Sequence, residues 1–165
     1  MEKRKMEKLG IETSLLGYGC MRFPTTPEGK IDEEEAEKLL DKKYYVLTAT
    51  DFVLYKRTGN RAVYQEQFNP RRLDLIQLTL AEAYERQGRF VDKILDLVWM
   101  ILEESTWVLP AHINPNPNDK THSLPYSYDG ARNYCDLYAG TTGAVMSWTW
   151  YVCHERFDKI SPVIN

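Results

Sequence analysis

The sequence predicts a mainly α-helical protein built from antiparallel helix hairpins, preceded by a short β-hairpin, one strand and one helix. Two adjacent stretches carry apolar residues at helical spacing. In the first these are Leu73, Ile76, Leu80 and Ala83 or Tyr84; in the second, Val91, Ile94, Leu95, Val98, Ile101 and Leu102. Gly88 stands between them as a stop, so the two helices are expected to fold back on each other. Ahead of Lys43 the pattern is of another kind. Gly10, Gly17 and Gly19 separate short extended pieces, and Pro24 and Pro27 break the chain. Residues 1–43 and 44–165 therefore read as two segments joined near Lys43.

The elements follow in chain order. Residues 14–19, Ser-Leu-Leu-Gly-Tyr-Gly, suit a strand in which glycines admit close neighbours. Asp32 can cap a helix over Glu33–Asp41, with Glu35 at the third helical position in a capping-box arrangement. Tyr44 to Lys56 is compatible with a helix that Thr58, Gly59 and Asn60 end. A short helix from Arg61 to Phe68 is expected next. Asn69 and Pro70 then signal a new helix start, running to about Gln87. The helix from Phe90 to Glu104 follows. From Val108 to Tyr128 no periodicity is visible and prolines recur, so a long loop is expected, of the kind that carries function. Asp129 or Ser127 can cap a last long helix to about Cys153, with Leu137, Thr141, Val145 and Trp148 on one face. Ser161 and Pro162 read as another helix start. Helix pairs around a decorated loop suit an α/α repeat architecture, in which each hairpin buries its face against the next.

At 165 residues the chain is long enough to bury a core. Its net charge of −3 is mild and mixed, and no basic run suggests nucleic acid. No apolar run is long enough to span a membrane, and no signal peptide is visible, so a cytoplasmic protein is expected. The three cysteines, Cys20, Cys135 and Cys153, lack metal-ligand spacing and are expected to be reduced thiols. Cys135 and Cys153 are placed on one face of one helix, about five turns apart. His122 and His154 have no ligand-spaced partners, so neither a metal nor a cofactor is expected. Eleven tyrosines and four tryptophans supply rings for a core or for stacking on sugars.

Residues 10–41, GIETSLLGYGCMRFPTTPEGKIDEEEAEKLLD, resemble the N-terminus of aldo/keto reductases. That resemblance implies a hairpin closing an eight-stranded α/β barrel, followed by its first strand and helix. The Asp, Tyr, Lys and His that the family uses for catalysis have no counterpart after Asp41. One strand and one helix cannot hold NADPH, so reductase activity is not expected.

Residues 51–112, from DFVLYKRTGNRAVYQEQFNP to EESTWVLPAH, look like the N-terminal helical region of heparinase II/III-like proteins, and LYAGTTGAVMSWTWYVCHERFDKISPVI continues the match. The resemblance implies an α/α toroid and a polysaccharide lyase acting on uronic-acid-containing chains by β-elimination. The proton beside a uronate carboxylate becomes acidic only when an Asn, Arg or protonated acid neutralises that charge. A Tyr or His then removes it, and another protonates the leaving oxygen. The family's neutralising Asn, its Tyr and a later His lie beyond the matched region. The expectation is therefore a piece of a lyase that is inactive by itself, with an acidic polysaccharide or oligosaccharide as partner. A non-catalytic carbohydrate-binding or scaffold module is the alternative.

Carried over by motif, Trp107 and His112 sit at the substrate groove. Trp107 is a stacking platform or a core residue; His112 is a sugar contact or proton-transfer group, or a loop histidine. Glu103 and Glu104 either orient His112 or are solvated. Tyr126 and Tyr128 in the long loop are candidate sugar contacts, and Arg132 a candidate carboxylate partner. Arg71 and Arg72 are carboxylate partners like Arg132 or, as expected, a solvated helix face, and Trp148, Trp150 and Tyr151 are expected between helices. A partial toroid leaves apolar helix faces uncovered, so self-association or marginal stability is expected.

Overall fold

The computed structural model of the chain describes residues 3–6, 11–14, 27, 33–113, 124 and 135–162. They fall into two compact units, Met1–Asp32 and Glu33–Asn165. In the first, strand β1 (Lys3–Met6) pairs antiparallel with β2 (Ile11–Ser14), Lys3 opposite Ser14 and Met6 opposite Ile11. Of the strand expected over residues 14–19 only Ser14 is described, at the end of β2; the rest of it, the Asp32 cap and Cys20 lie outside the described residues.

The second unit is mainly α-helical: α1 (Glu33–Lys38), α2 (Ala49–Thr58), α3 (Ala62–Glu85), α4 (Val91–Leu102), α5 (Pro110–Ile113) and α6 (Leu137–Ile160). The Thr48 hydroxyl accepts from the Asp51 amide at 3.2 Å and starts α2 later than Tyr44. Gly59 ends it at φ +78°, its amide reaching the Tyr55 carbonyl at 2.8 Å. That left-handed turn is strained for any residue with a Cβ.

Helix α3 is continuous through Pro70, where a new helix start was expected. Proline removes one hydrogen bond and crowds the preceding turn, a cost of about 3 kcal/mol. Side chains on both sides of it resist a break. Tyr64 and Phe68 are buried in one apolar cluster, and Leu75 and Leu78 in another.

The faces of α3 and α6 are rotated from the expected stripes, whereas that of α4 largely matches. On α3 the buried apolar residues are Tyr64, Phe68, Leu75, Leu78 and Ala81, whereas Leu73 is 58% exposed and Tyr84 is also exposed. On α6 the buried face is Thr142, Val145, Thr149, Cys153 and Phe157; Leu137 and Thr141 are exposed. Trp150 and Tyr151 face solvent, and Trp148 is half-buried. On α4, Val91, Ile94, Leu97 and Ile101 are buried, and Leu102 is exposed. A polar partner explains the rotation. Residues Arg72, Thr79 and Arg86 of α3 or its cap meet Thr142, Thr149 and Arg156 of α6. Each contact spans a sequence separation of 70. These rungs recur once per heptad, so the two helices run parallel and in register. Counting only apolar residues misplaces a face that polar pairs help to build. Helix α4 runs the other way along α3, because Glu85 binds Arg89 at one end and Arg72 binds Glu104 at the other.

Helix α1 belongs to this unit. Ala36 and Leu39 are buried in the main core with Leu75, Leu78 and Ile94. Lys42 reaches Asp74 at 2.6 Å, Lys93 donates to the Lys42 carbonyl at 2.6 Å, and the Tyr44 hydroxyl donates to Asp74 at 2.8 Å. Contacts thus run through residue 43 within this unit. Burial, and after it Asp74, push the Tyr44 phenol well above its ordinary pKa.

Cys135 is exposed and precedes α6, so it shares no helix face with Cys153, which is buried within α6. Burial, and after it the charge of Glu82, push the Cys153 thiol up to about 12. No described helix is long and apolar enough to cross a membrane.

Two measurements check this arrangement. Leu78→Ala should cost about 2–5 kcal/mol in urea unfolding, and Leu73→Ala less than about 0.5 kcal/mol. Iodoacetamide on the native protein should alkylate the Cys135 peptide and spare the Cys153 peptide, as peptide mass mapping will show.

Candidate functional site

The segment Glu103–His112 crosses from α4 to α5, and most of its side chains hold the helices together. The Glu104 side chain is 2% exposed. Its Oε1 accepts from Arg71 at 3.0 Å and from Arg72 at 3.1 Å, and its Oε2 accepts from Arg72 at 2.5 Å. The Arg72 Nε donates to Thr142 at 2.9 Å, and its guanidinium lies 3.3 Å from the centre of the Phe68 ring. Arg71 also donates to the Tyr45 carbonyl. Arg71 and Arg72 are therefore buried, not solvated, because a buried carboxylate needs cationic donors. Glu104 pairs with these arginines and leaves His112 to another residue; Glu103 is exposed.

Trp107 is half-buried against the main core, and its indole N–H donates to the Ile101 carbonyl at 2.9 Å. That carbonyl belongs to the last turn of α4, where helices leave acceptors unsatisfied. The structure places Trp107 as an anchor of that turn. Leu109, in the cluster with Phe52, Tyr64 and Phe68, and Pro110 are buried at the start of α5.

His112 lies at the end of this segment. Its Nδ1 is 2.6 Å from Asp136 Oδ2, with the imidazole side chain about a third exposed. Asp136 is the N-cap of α6: its Oδ1 accepts from the Ala139 amide at 2.7 Å. Its Oδ2 also accepts from the Leu109 amide at 3.2 Å. Burial alone would raise the Asp136 pKa. The Ala139 amide, the His112 imidazole and the Leu109 amide outweigh it and hold the carboxyl below its ordinary value. With Asp136 ionised, Nδ1 of His112 carries the proton that it donates, which fixes the tautomer of the ring. This is a carboxylate-oriented histidine, suited to general acid–base work.

Asp136 is the residue that sequence reasoning missed. Its signal was present, an Asp directly ahead of a helical run, but the cap was placed at Asp129 or Ser127. Tyr126, Tyr128, Arg132 and His122 lie outside the described residues. His154 stacks on Trp150, with ring centres 5.0 Å apart. Among the described residues no group of His, Cys, Asp or Glu is placed to hold a metal ion.

A cavity of about 320 Å³ opens between the strap of residues 44–48 and helices α2, α3 and α4. Tyr44, Tyr45, Phe52, Tyr64 and Arg71 are among its walls. The pattern gave no hint of it, because the strap was expected to be helical.

Comparison with protein-family models and with curated proteins returns no match.

Asp136 gives a pH-dependent prediction. Its native pKa is depressed, so its ionised form stabilises the fold above the unfolded-state pKa. That stabilisation is lost as pH falls through the native value. Asp136→Ala should therefore cost about 1–2 kcal/mol near neutral pH. The difference from wild type should shrink as the pH falls through the depressed native pKa of Asp136. Urea unfolding across that range checks it.

Proposed function

We propose that the helical unit is part of a uronan-binding α/α toroid of the heparinase II/III-like kind, and that His112 meets the sugar chain. The observation that carries this reading is the His112–Asp136 pair, whose imidazole side chain is about a third exposed. It stands in the segment Glu103–His112, where the likeness to the polysaccharide lyases is most specific. The alternation of α3, α4 and α6 supports the same reading, since successive hairpins of a toroid run antiparallel within a pair and parallel between pairs. β-Elimination needs a group to neutralise the uronate carboxylate as well as a base. The reading assigns no such group here, so binding is expected without turnover.

Titration with oligouronates from alginate and heparan sulfate tests it. Wild type should bind, and His112→Ala should weaken binding by about tenfold, the worth of one charged hydrogen bond. Binding that ignores His112→Ala would overturn the assignment, and sustained release of unsaturated product would overturn the absence of turnover.

The toroid reading also accounts for exposed apolar side chains on α4. Trp99 and Leu102 are exposed where a neighbouring helix pair would lie. Wild type is expected to self-associate with rising concentration in sedimentation equilibrium, and Leu102→Lys to shift it toward monomer.

A further inference from the structure

Tyr64 is a wall of the cavity beside residues 44–48, and it is only 4% exposed. Its ring packs edge to face on Phe52, with centres 5.1 Å apart, and against Phe68 at 5.7 Å. The Tyr44 hydroxyl, in the same cavity, donates to Asp74. The Tyr64 hydroxyl makes no hydrogen bond among the described residues. Among those residues Arg71 Nε is the side-chain polar atom both unpartnered and sealed from open space, so the Tyr64 hydroxyl is not sealed. Its ring is covered by two others, and the open space that Tyr64 borders is the cavity. Burial, and after it the charge of Glu104, push the Tyr64 phenol well above its ordinary pKa, so the hydroxyl keeps its proton. A donor held away from bulk water without an acceptor is costly.

The other walls define what kind of molecule supplies that acceptor. Leu47, Phe52 and Met100 are apolar, and a volume of about 320 Å³ lies at the lower end of small-molecule sites. The buried charges are spent on one another. Glu104 takes Arg71 and Arg72, and the three side chains are 2%, 5% and 7% exposed. An anion would meet Glu103 and Glu104 in the walls, and a cation would meet Arg71. Either would give up its hydration without finding an unspent counter-charge inside. Glu103 is exposed, and a carboxylate in water adds little to an ion pair. An uncharged oxygen accepts from the phenol without that loss.

We propose that this cavity binds a small uncharged molecule with an aromatic or aliphatic body and a carbonyl oxygen that accepts from the Tyr64 hydroxyl. The body lies against Leu47, Phe52 and Met100. His112 is not among the walls, so the site does not depend on the polysaccharide reading.

Benzylacetone, butylbenzene, hydrocinnamate and the amine analogue of benzylacetone are the probes. They share an aromatic body and differ in the polar end: ketone, none, anion and cation. Calorimetry reads affinity, the Met100 methyl resonance in NMR reads location, and the infrared carbonyl stretch reads the hydrogen bond. Benzylacetone should bind with a Kd below about 1 mM and shift the Met100 methyl signal. The acid and the amine should each bind at least about tenfold more weakly. Tyr64→Phe keeps the ring and removes only the hydroxyl. It should leave the urea midpoint where it is, weaken benzylacetone at least about threefold and leave butylbenzene unchanged. The bound carbonyl stretch should lie lower in wild type than in Tyr64→Phe. His112→Ala should change none of these. No binding of benzylacetone at about 1 mM, or binding that leaves the Met100 signal unmoved, overturns the site. Equal affinity of wild type and Tyr64→Phe for the ketone, or a lowered urea midpoint in Tyr64→Phe, overturns the role of the free hydroxyl. An acid or amine that binds as tightly as the ketone overturns the uncharged ligand.

Discussion

The helical unit depends on the carboxylate of Glu104. It stands just past the end of α4 and takes hydrogen bonds from two consecutive arginines of α3. One of those arginines continues to Thr142 of α6. Three helices are thus tied at one point, beside a segment with no regular structure. Removing one partner of a buried ion pair typically costs about 3–5 kcal/mol, because the other is left charged and dry. Well-packed apolar residues could hold such helices as firmly. The ionic arrangement adds direction: it fixes which turn of α3 faces which turn of α6.

Much of the helical order was legible in residues. Gly59 and Gly88 mark helix ends, and the apolar stripe of α4 largely matches its buried face. The sequence pattern failed where polar residues face inward. Arg71, Arg72, Thr79, Thr142 and Thr149 are all buried, yet each residue type is ordinarily read as surface. Their partners lie far along the chain, so no local pattern announces them. Pro70 misled for a related reason, because a local stop signal was overridden by contacts on both sides of it.

The candidate site divides in the same way. His112 was legible as a histidine at the end of a helix-to-loop motif. Its partner Asp136 was not, since the pair forms only when the start of α6 meets the start of α5. Trp107 was read both as platform and as core. Its indole N–H, donated to the end of α4, places it with the framework. The cavity could not be read from sequence at all, because it exists where residues 44–48 fail to be helical.

The parallel pairing of α3 and α6 also bears on the order of assembly. Their rungs join residues 70 apart, whereas α3 and α4 are separated by one short turn. Closing a long loop must precede any gain from the contacts it allows, so local pairs form first. The α3–α4 pair is then the early piece, and α6 docks onto a groove already made. Asp136 arrives with α6. The orienting carboxylate of His112 is therefore delivered last, and any local opening that lifts the start of α6 disarms the histidine while the rest of the fold stands.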